Sequence, residues 1–246
     1  MNRKEGDMRV LAFGAHPDDV EFQIGGTLAK YAQRKDEVFI AVATNGNIGS
    51  FRMSKGEIAK VRRGEAQKAA DLIGAHLIWM NFEDEFLMDT VETRMKFIDA
   101  VRVARPDVMF SHEPYNDYNP DHDMVGYLAF IARINASIKL IETEHPPAGK
   151  VPALFHYSTL AFGKFVPEYY VDVTDTYEMK KRLFLCHDSQ QGDWCRDAFG
   201  VNYVDMMESE AKLAATQAGT PGCEYAEVFK LCKSWPTIAG AYKLLP

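Results

Sequence analysis

MRVLAFGAHPDDVEF, residues 8–22, runs from a nearly continuous apolar segment into a histidine, a proline and two adjacent aspartates. The apolar half predicts a short buried strand. The spacing of Phe22, Leu28, Ala29 and Ala32 beyond it predicts a helix. Strand, charged loop, helix is therefore the opening unit, and it repeats. EVFIAVAT (37–44) reads as a second buried strand, ending in the glycine-bearing loop NGNIGS. A polar helix from about Lys55 to Ile73 follows and stops at Gly74. HLIWMNF (76–82) is a third strand, Val91 to Arg102 a helix, and VMFSH (108–112) a fourth strand. The loop EPYNDYNPDH then feeds a mostly apolar helix, MVGYLAFIARINASIKLI (124–141). Continuous apolar strands alternating with helices predict an α/β fold: a Rossmann-like, doubly wound, mostly parallel sheet with helices on both faces. Such sheets bind ligands beyond the carboxyl ends of their strands, where FGAHPDD, TNGNIGS and SHEPYNDYNPDH all fall.

Beyond Pro146-Pro147 the pattern loosens. PALFHYSTLAF and YYVDVTD read as strands and TYEMKKRLFLCH as a helix, which we take as an extension of the same sheet. The expectation is one domain over 1–246, with a core at about 8–140 and the extension at about 150–246. A formal net charge of −7 argues against nucleic acid as a partner, because phosphate binding requires a basic face. No stretch reaches the roughly 18 apolar residues of a membrane span, and the start lacks the apolar core of a signal peptide, so a cytoplasmic enzyme is expected. Cys186, Cys195, Cys223 and Cys232 lack CxxC spacing and read as buried or incidental thiols. Self-association into a homo-oligomer is compatible with this composition.

In AHPDD, His16 and Asp19 flank a tight proline turn and can face one point. His122, in YNPDHD, starts a helix in a second loop at the same sheet edge. One carboxylate and two imidazoles make a three-ligand metal site with positions left open, the arrangement of catalytic zinc, although iron, manganese or cobalt also suit it. Asp18 is then a spare carboxylate beside the ligands, placed to act as general base. The competing reading of HPDD is a helix cap with a packed histidine.

These motifs resemble the PIG-L/LmbE-like family of zinc-dependent N-acetylglucosaminyl deacetylases. The resemblance runs through AHPDDVEFQIGGTLAK, VRRGEAQKAADLIGA, RPDVMFSH and DYNPDHDMVG, and more weakly through KKRLFLCHDSQ and EYAEVF. It implies metal ligands at His16, Asp19 and His122, Asp18 as base, and hydrolysis of an N-acetyl group on a small amino-sugar substrate of the N-acetylglucosamine type. One position departs from the family pattern: where HPDH is usual, this chain reads Asn119-Pro120-Asp121-His122. A histidine credited with stabilising the tetrahedral intermediate is thus replaced by Asn119, which donates a hydrogen bond but carries no charge.

His112 is a candidate replacement or a packed histidine. Asp121 either orients an imidazole or caps the following helix. The resemblance places Arg62 in the site, on a substrate hydroxyl or on Asp18, with Arg63 as rival and a solvated Arg62–Glu65 pair as the plain alternative. Tyr225 is a candidate substrate-binding phenol or a core aromatic. His187 reads as structural, and Gly25-Gly26 as close helix packing, because GxGxxG spacing is absent. The glycines of TNGNIGS serve a tight turn or admit a sugar ring. Two other functions remain open on sequence: a non-catalytic carbohydrate-binding relative and a metal-dependent phosphoesterase.

Overall fold

The strands are β1 (Arg9–Gly14), β2 (Glu37–Thr44), β3 (His76–Phe82), β4 (Val108–His112), β5 (Ala153–Tyr157), β6 (Tyr169–Asp172) and β7 (Ala226–Leu231). The helices are α1 (Asp19–Gln33), α2 (Lys55–Leu72), α3 (Val91–Ala104), α4 (Pro120–Asn135), α5 (Tyr177–Phe184) and α6 (Tyr203–Ala218). These come from a computed structural model that describes residues 6, 8–158, 164–191, 196–197 and 200–246. All seven strands form one sheet in the order β3-β2-β1-β4-β5-β7-β6. The first five in that order pair in parallel, whereas β7 runs antiparallel to both β5 and β6. The expected doubly wound sheet is therefore present, and its C-terminal extension reverses direction.

Alternation along β1 explains why its sequence reads as unbroken apolar residues. Leu11 and Phe13 face a core shared with Phe97, Val101 and Leu128 of α3 and α4. Val10 and Ala12 face the opposite core, with Ile24, Leu28 and Ala70 of α1 and α2. The strand order reverses at β1, which has β2 on one side and β4 on the other. That switch point opens a crevice at their carboxyl ends.

Two helices differ from the sequence reading. The apolar helix expected over 124–141 ends at Asn135. There the buried guanidinium of Arg102 donates to the carbonyls of Ala136 and Ile138, so the chain turns rather than continuing. The helix after AHPDD is broken at Ile24 (φ −130°, ψ 17°). The freed N–H groups of Gly26 and Thr27 donate to the two oxygens of Glu227 on β7, at 2.8 and 2.7 Å. Lys180 of α5 donates to the same carboxylate and to the carbonyl of Gln23. The glycine pair does serve close packing: a Cβ on Gly26 would lie 2.8 Å from Cβ of Val173. A buried carboxylate thus acts as an N-cap in mid-helix, a feature no local pattern announces.

Cys186 and Cys223 are half-buried free thiols and Cys232 is a buried one, whereas Cys195 lies outside the described residues. No helix among the described residues is long and apolar enough to cross a membrane.

The side chains of Lys180 and Glu227 are both almost fully buried, so removing one strands the other. Glu227→Ala is expected to lower unfolding free energy by about 3–5 kcal/mol in urea titrations. Glu227→Gln, which keeps an acceptor oxygen, should cost less. A loss under about 1 kcal/mol for the alanine variant would show that the helix break needs no carboxylate.

Candidate active site

The loop leaving β1 is held as a rigid turn. Thr44 of β2 donates through N and Oγ1 to the carbonyl of Ala15, and Asp19 Oδ2 accepts the backbone N–H groups of Ala15 (2.9 Å) and His16 (2.8 Å). Asp18 sits just before α1 with φ 121°, a strained conformation for a residue with a Cβ. The result presents His16, Asp18 and Asp19 on one side of the crevice. From the other side comes the start of α4, where Asn119 Oδ1 accepts the N–H groups of Asp121 and His122.

His16 and His122, 106 residues apart in the chain, meet with Nδ1 and Nε2 at 3.2 Å. Asp19 approaches the pair with different oxygens, Oδ2 at 3.6 Å from His16 Nδ1 and Oδ1 at 3.5 Å from His122 Nε2. The outward nitrogens both meet carboxylates: His16 Nε2 lies 2.9 Å from Asp84, and His122 Nδ1 lies 3.1 Å from Asp117. Asp84 and Asp117 were not singled out in the sequence. Their signal was weak, one acid among several in FEDEF and one in EPYNDYNP, each at the carboxyl end of a strand.

The charges are tightly coupled. Burial opposes protonation of His16 and His122, but neighbouring carboxylates outweigh it and raise both pKa values, that of His122 to about 9. Asp19 is held low by these imidazoles despite burial. Burial pushes Asp18 up to about 6, against the pull of Arg62. Two imidazoles, His16 and His122, are thus drawn toward positive charge at one point among acids, where a cation would be favoured.

Arg62 is buried on α2, while Arg63 points to solvent, which settles their rivalry for the site. Arg62 Nη2 donates to the carbonyl of Pro17 (2.6 Å) and to Asp18 Oδ1 (3.2 Å). The proposed pairing with Glu65 is absent, because Glu65 accepts instead from N and Oγ of Ser189, both at 2.7 Å. In TNGNIGS, Gly46 makes room for this arginine, since a Cβ there, at φ +63°, would lie 2.4 Å from Arg62 Nη1, while Gly49 lines the cleft.

The remaining candidates take different places around the cleft. His112 has no exposed surface. Its Nε2 lies 3.1 Å from Asp19 Oδ2 and its ring stacks on His122 at 4.1 Å between centroids. It packs against Asp19, His122 and Tyr157 while still bordering the cleft. Burial and the charge of His122 lower its pKa to about 4. Tyr225 stacks on Tyr177 at 3.8 Å, and it is not among the cleft-lining residues. It packs against the cluster of Phe22 and Phe184, two residues that line the cleft. Asp121 caps nothing on α4. It is buried, accepts the N–H groups of Glu85 (2.8 Å) and Leu87 (3.0 Å), and lies 3.5 Å from His16 Nε2. Asn119 commits one amide hydrogen to Glu85 Oε1 at 2.8 Å. His187 is buried 3.5 Å from Glu21, consistent with a structural role.

Residues 11–132 match the PIG-L family model, described as GlcNAc-PI de-N-acetylase. The diacetylchitobiose deacetylase of Thermococcus kodakarensis is 30% identical over 190 residues, covering 74% of this chain and 70% of that one. The chain belongs to the PIG-L family. Among solved PIG-L-like structures, the N,N'-diacetylchitobiose deacetylase of Pyrococcus horikoshii superposes with a TM-score of 0.79 at 26% identity, covering 92% of this chain and 84% of that one. The 4-carboxy-2-hydroxymuconate hydratase of Pseudomonas putida KT2440 also gives 0.79, at 21% identity, over 94% of this chain and 98% of that one. The PIG-L fold is therefore shared by proteins named for different reactions, and the chemistry must be argued from the site.

The close approach of Gly46 to Arg62 gives a direct test. Gly46→Ala forces both a positive φ and a steric overlap, and is expected to cost about 2–4 kcal/mol in chemical denaturation. A neutral effect would mean that Arg62 does not occupy this channel.

Proposed function

We propose that the protein is a divalent-metal-dependent hydrolase that removes the N-acetyl group from an amino-sugar substrate of the N-acetylglucosamine type. The observation that carries this reading is the pair of facing imidazole nitrogens flanked by Asp19, with Asp18 beside them held by Arg62. His16, Asp19 and His122 each offer one donor atom, all within 4.8 Å of one another, a group that a single ion could draw together. Carboxylates on both outward nitrogens are the usual support of ligating imidazoles. Two nitrogens and one oxygen favour zinc over hard cations.

When bound, the ion supplies Lewis acidity to water and to the acyl carbonyl. Asp18 does the proton work. Its pKa of about 6 leaves it ionised at neutral pH and able to hold a proton transiently. Pinned by Arg62, it accepts a proton from the attacking water as the oxygen–carbon bond forms. It returns that proton to the amide nitrogen as the carbon–nitrogen bond breaks, releasing acetate and the free amine. Asn119 has a second amide hydrogen to offer the carbonyl oxygen as negative charge develops there, a neutral substitute for an imidazolium. A phosphoesterase reading is disfavoured, because Arg62 is the one Lys or Arg side chain among the described cleft-lining residues and is already committed.

Two measurements test the proposal. Asp18→Asn should lower kcat for acetate release from N-acetylated amino sugars by about 100- to 10,000-fold while retaining zinc, measured by metal analysis. Wild-type protein that holds zinc yet deacetylates no such sugar would point to the binding-only reading. In chelator competition, His122→Ala should abolish tight zinc binding, and Asp84→Asn or Asp117→Asn should weaken it by about 10- to 100-fold. Since His16 and His122 must lose protons to ligate and their pKa values are raised, zinc affinity should climb as pH rises from about 7 to 9. Affinity independent of pH would remove both from the ligand set.

A further inference from the structure

Asp84 and Glu85, consecutive in the loop after β3, both line the cleft. In an extended chain neighbouring side chains point to opposite sides, so one of the two would face away. The backbone makes the difference. Glu85 has φ +67°, a left-handed conformation that is costly for a residue with a Cβ and that glycine adopts freely. Asp121 holds this kink, one carboxylate oxygen accepting the N–H of Glu85 (2.8 Å) and the other that of Leu87 (3.0 Å). Strain fixed in this way beside a cleft points to a task for the side chain it presents.

That task is visible at Asn119. Asp84 lies 2.9 Å from His16 Nε2, whereas Glu85 Oε1 accepts from Asn119 Nδ2 at 2.8 Å. At its other end the same amide is fixed through Oδ1, which accepts the N–H groups of Asp121 (2.8 Å) and His122 (3.3 Å). A side-chain amide is planar, so fixing its oxygen and one N–H leaves the second N–H a single direction. Held by its oxygen alone, the amide would keep much of the broad freedom of its terminal torsion and would meet a developing oxyanion only part of the time. An imidazolium at this position would act through its charge at any orientation. A neutral amide acts through direction, and it therefore depends on an orienting group.

We propose that Glu85 is a positioning residue for the reaction: it clamps the Asn119 amide so that the remaining N–H is aimed at the acyl carbonyl oxygen, and the left-handed turn at position 85 serves to place its carboxylate there. This rests on the deacetylase reading for the reaction but not for the clamp.

Glu85→Gly removes the carboxylate and relieves the backbone, whereas Glu85→Gln keeps an acceptor oxygen. For acetate release from N-acetylglucosamine by zinc-loaded protein, Glu85→Gly is expected to lower kcat at least about ten-fold with KM changed less than about two-fold, and Glu85→Gln to stay within about three-fold of wild type. In an Asn119→Ala background, Glu85→Gly should lower kcat by less than about two-fold further. The urea midpoint of Glu85→Gly should not fall below that of wild type, because glycine suits the left-handed turn. An equal kcat loss with and without Asn119, or a lowered midpoint that accounts for the loss, overturns the inference and makes Glu85 structural. The clamp is also read without turnover, from hydrogen exchange of the Asn119 side-chain amide by NMR, its resonances identified by their loss in Asn119→Ala. Exchange should be at least about five-fold slower in wild type and Glu85→Gln than in Glu85→Gly. Wild type that shows this protection yet deacetylates no amino sugar supports the clamp and overturns the reaction. Equal exchange in all three overturns the clamp whatever the turnover.

Discussion

The carboxylate of Asp19 ties together parts of the chain that otherwise have no reason to meet. One oxygen closes the turn after β1 by accepting two backbone N–H groups. The same oxygen touches His112 from β4, and the other faces His122 from α4. Sinking a carboxylate this deeply is costly unless donors and positive charge surround it, and both are supplied. The strand-to-helix turn and the two-histidine cluster are therefore one electrostatic unit.

Around that unit the protein accumulates acids. Asp84 and Asp117 stand on the outward nitrogens of the two imidazoles, and Asp121 uses its remaining capacity to fix the loop that carries Asp84 and Glu85. So many like charges in a small volume repel one another, and Arg62 together with the imidazoles offsets only part of this. The arrangement suits a bound cation. It also explains why Gly46 has no side chain, since the channel beside it is filled by the guanidinium that steadies Asp18.

The replacement of the family's histidine by Asn119 takes a different meaning in the structure. Asn119 is first a helix cap, orienting Asp121 and His122 through its oxygen, and its amide nitrogen is tied to Glu85. Capping is a job that asparagine does well, and it holds the start of α4 where His122 meets His16.

The sequence determined the alternation of strands and helices, the parallel core of the sheet and the three-residue cluster, because burial periodicity and motif spacing are local properties. It also singled out Asp18 and Arg62. Tertiary structure alone decided that Asp84 and Asp117 stand at the outward nitrogens of His16 and His122, that His112 packs on Asp19 and His122, that Tyr225 stacks on Tyr177, and that Glu227 mends a broken helix some 200 residues away. An acid in a loop carries no mark of which imidazole it will meet. Its role follows from the strand order, which is set by packing over the whole chain.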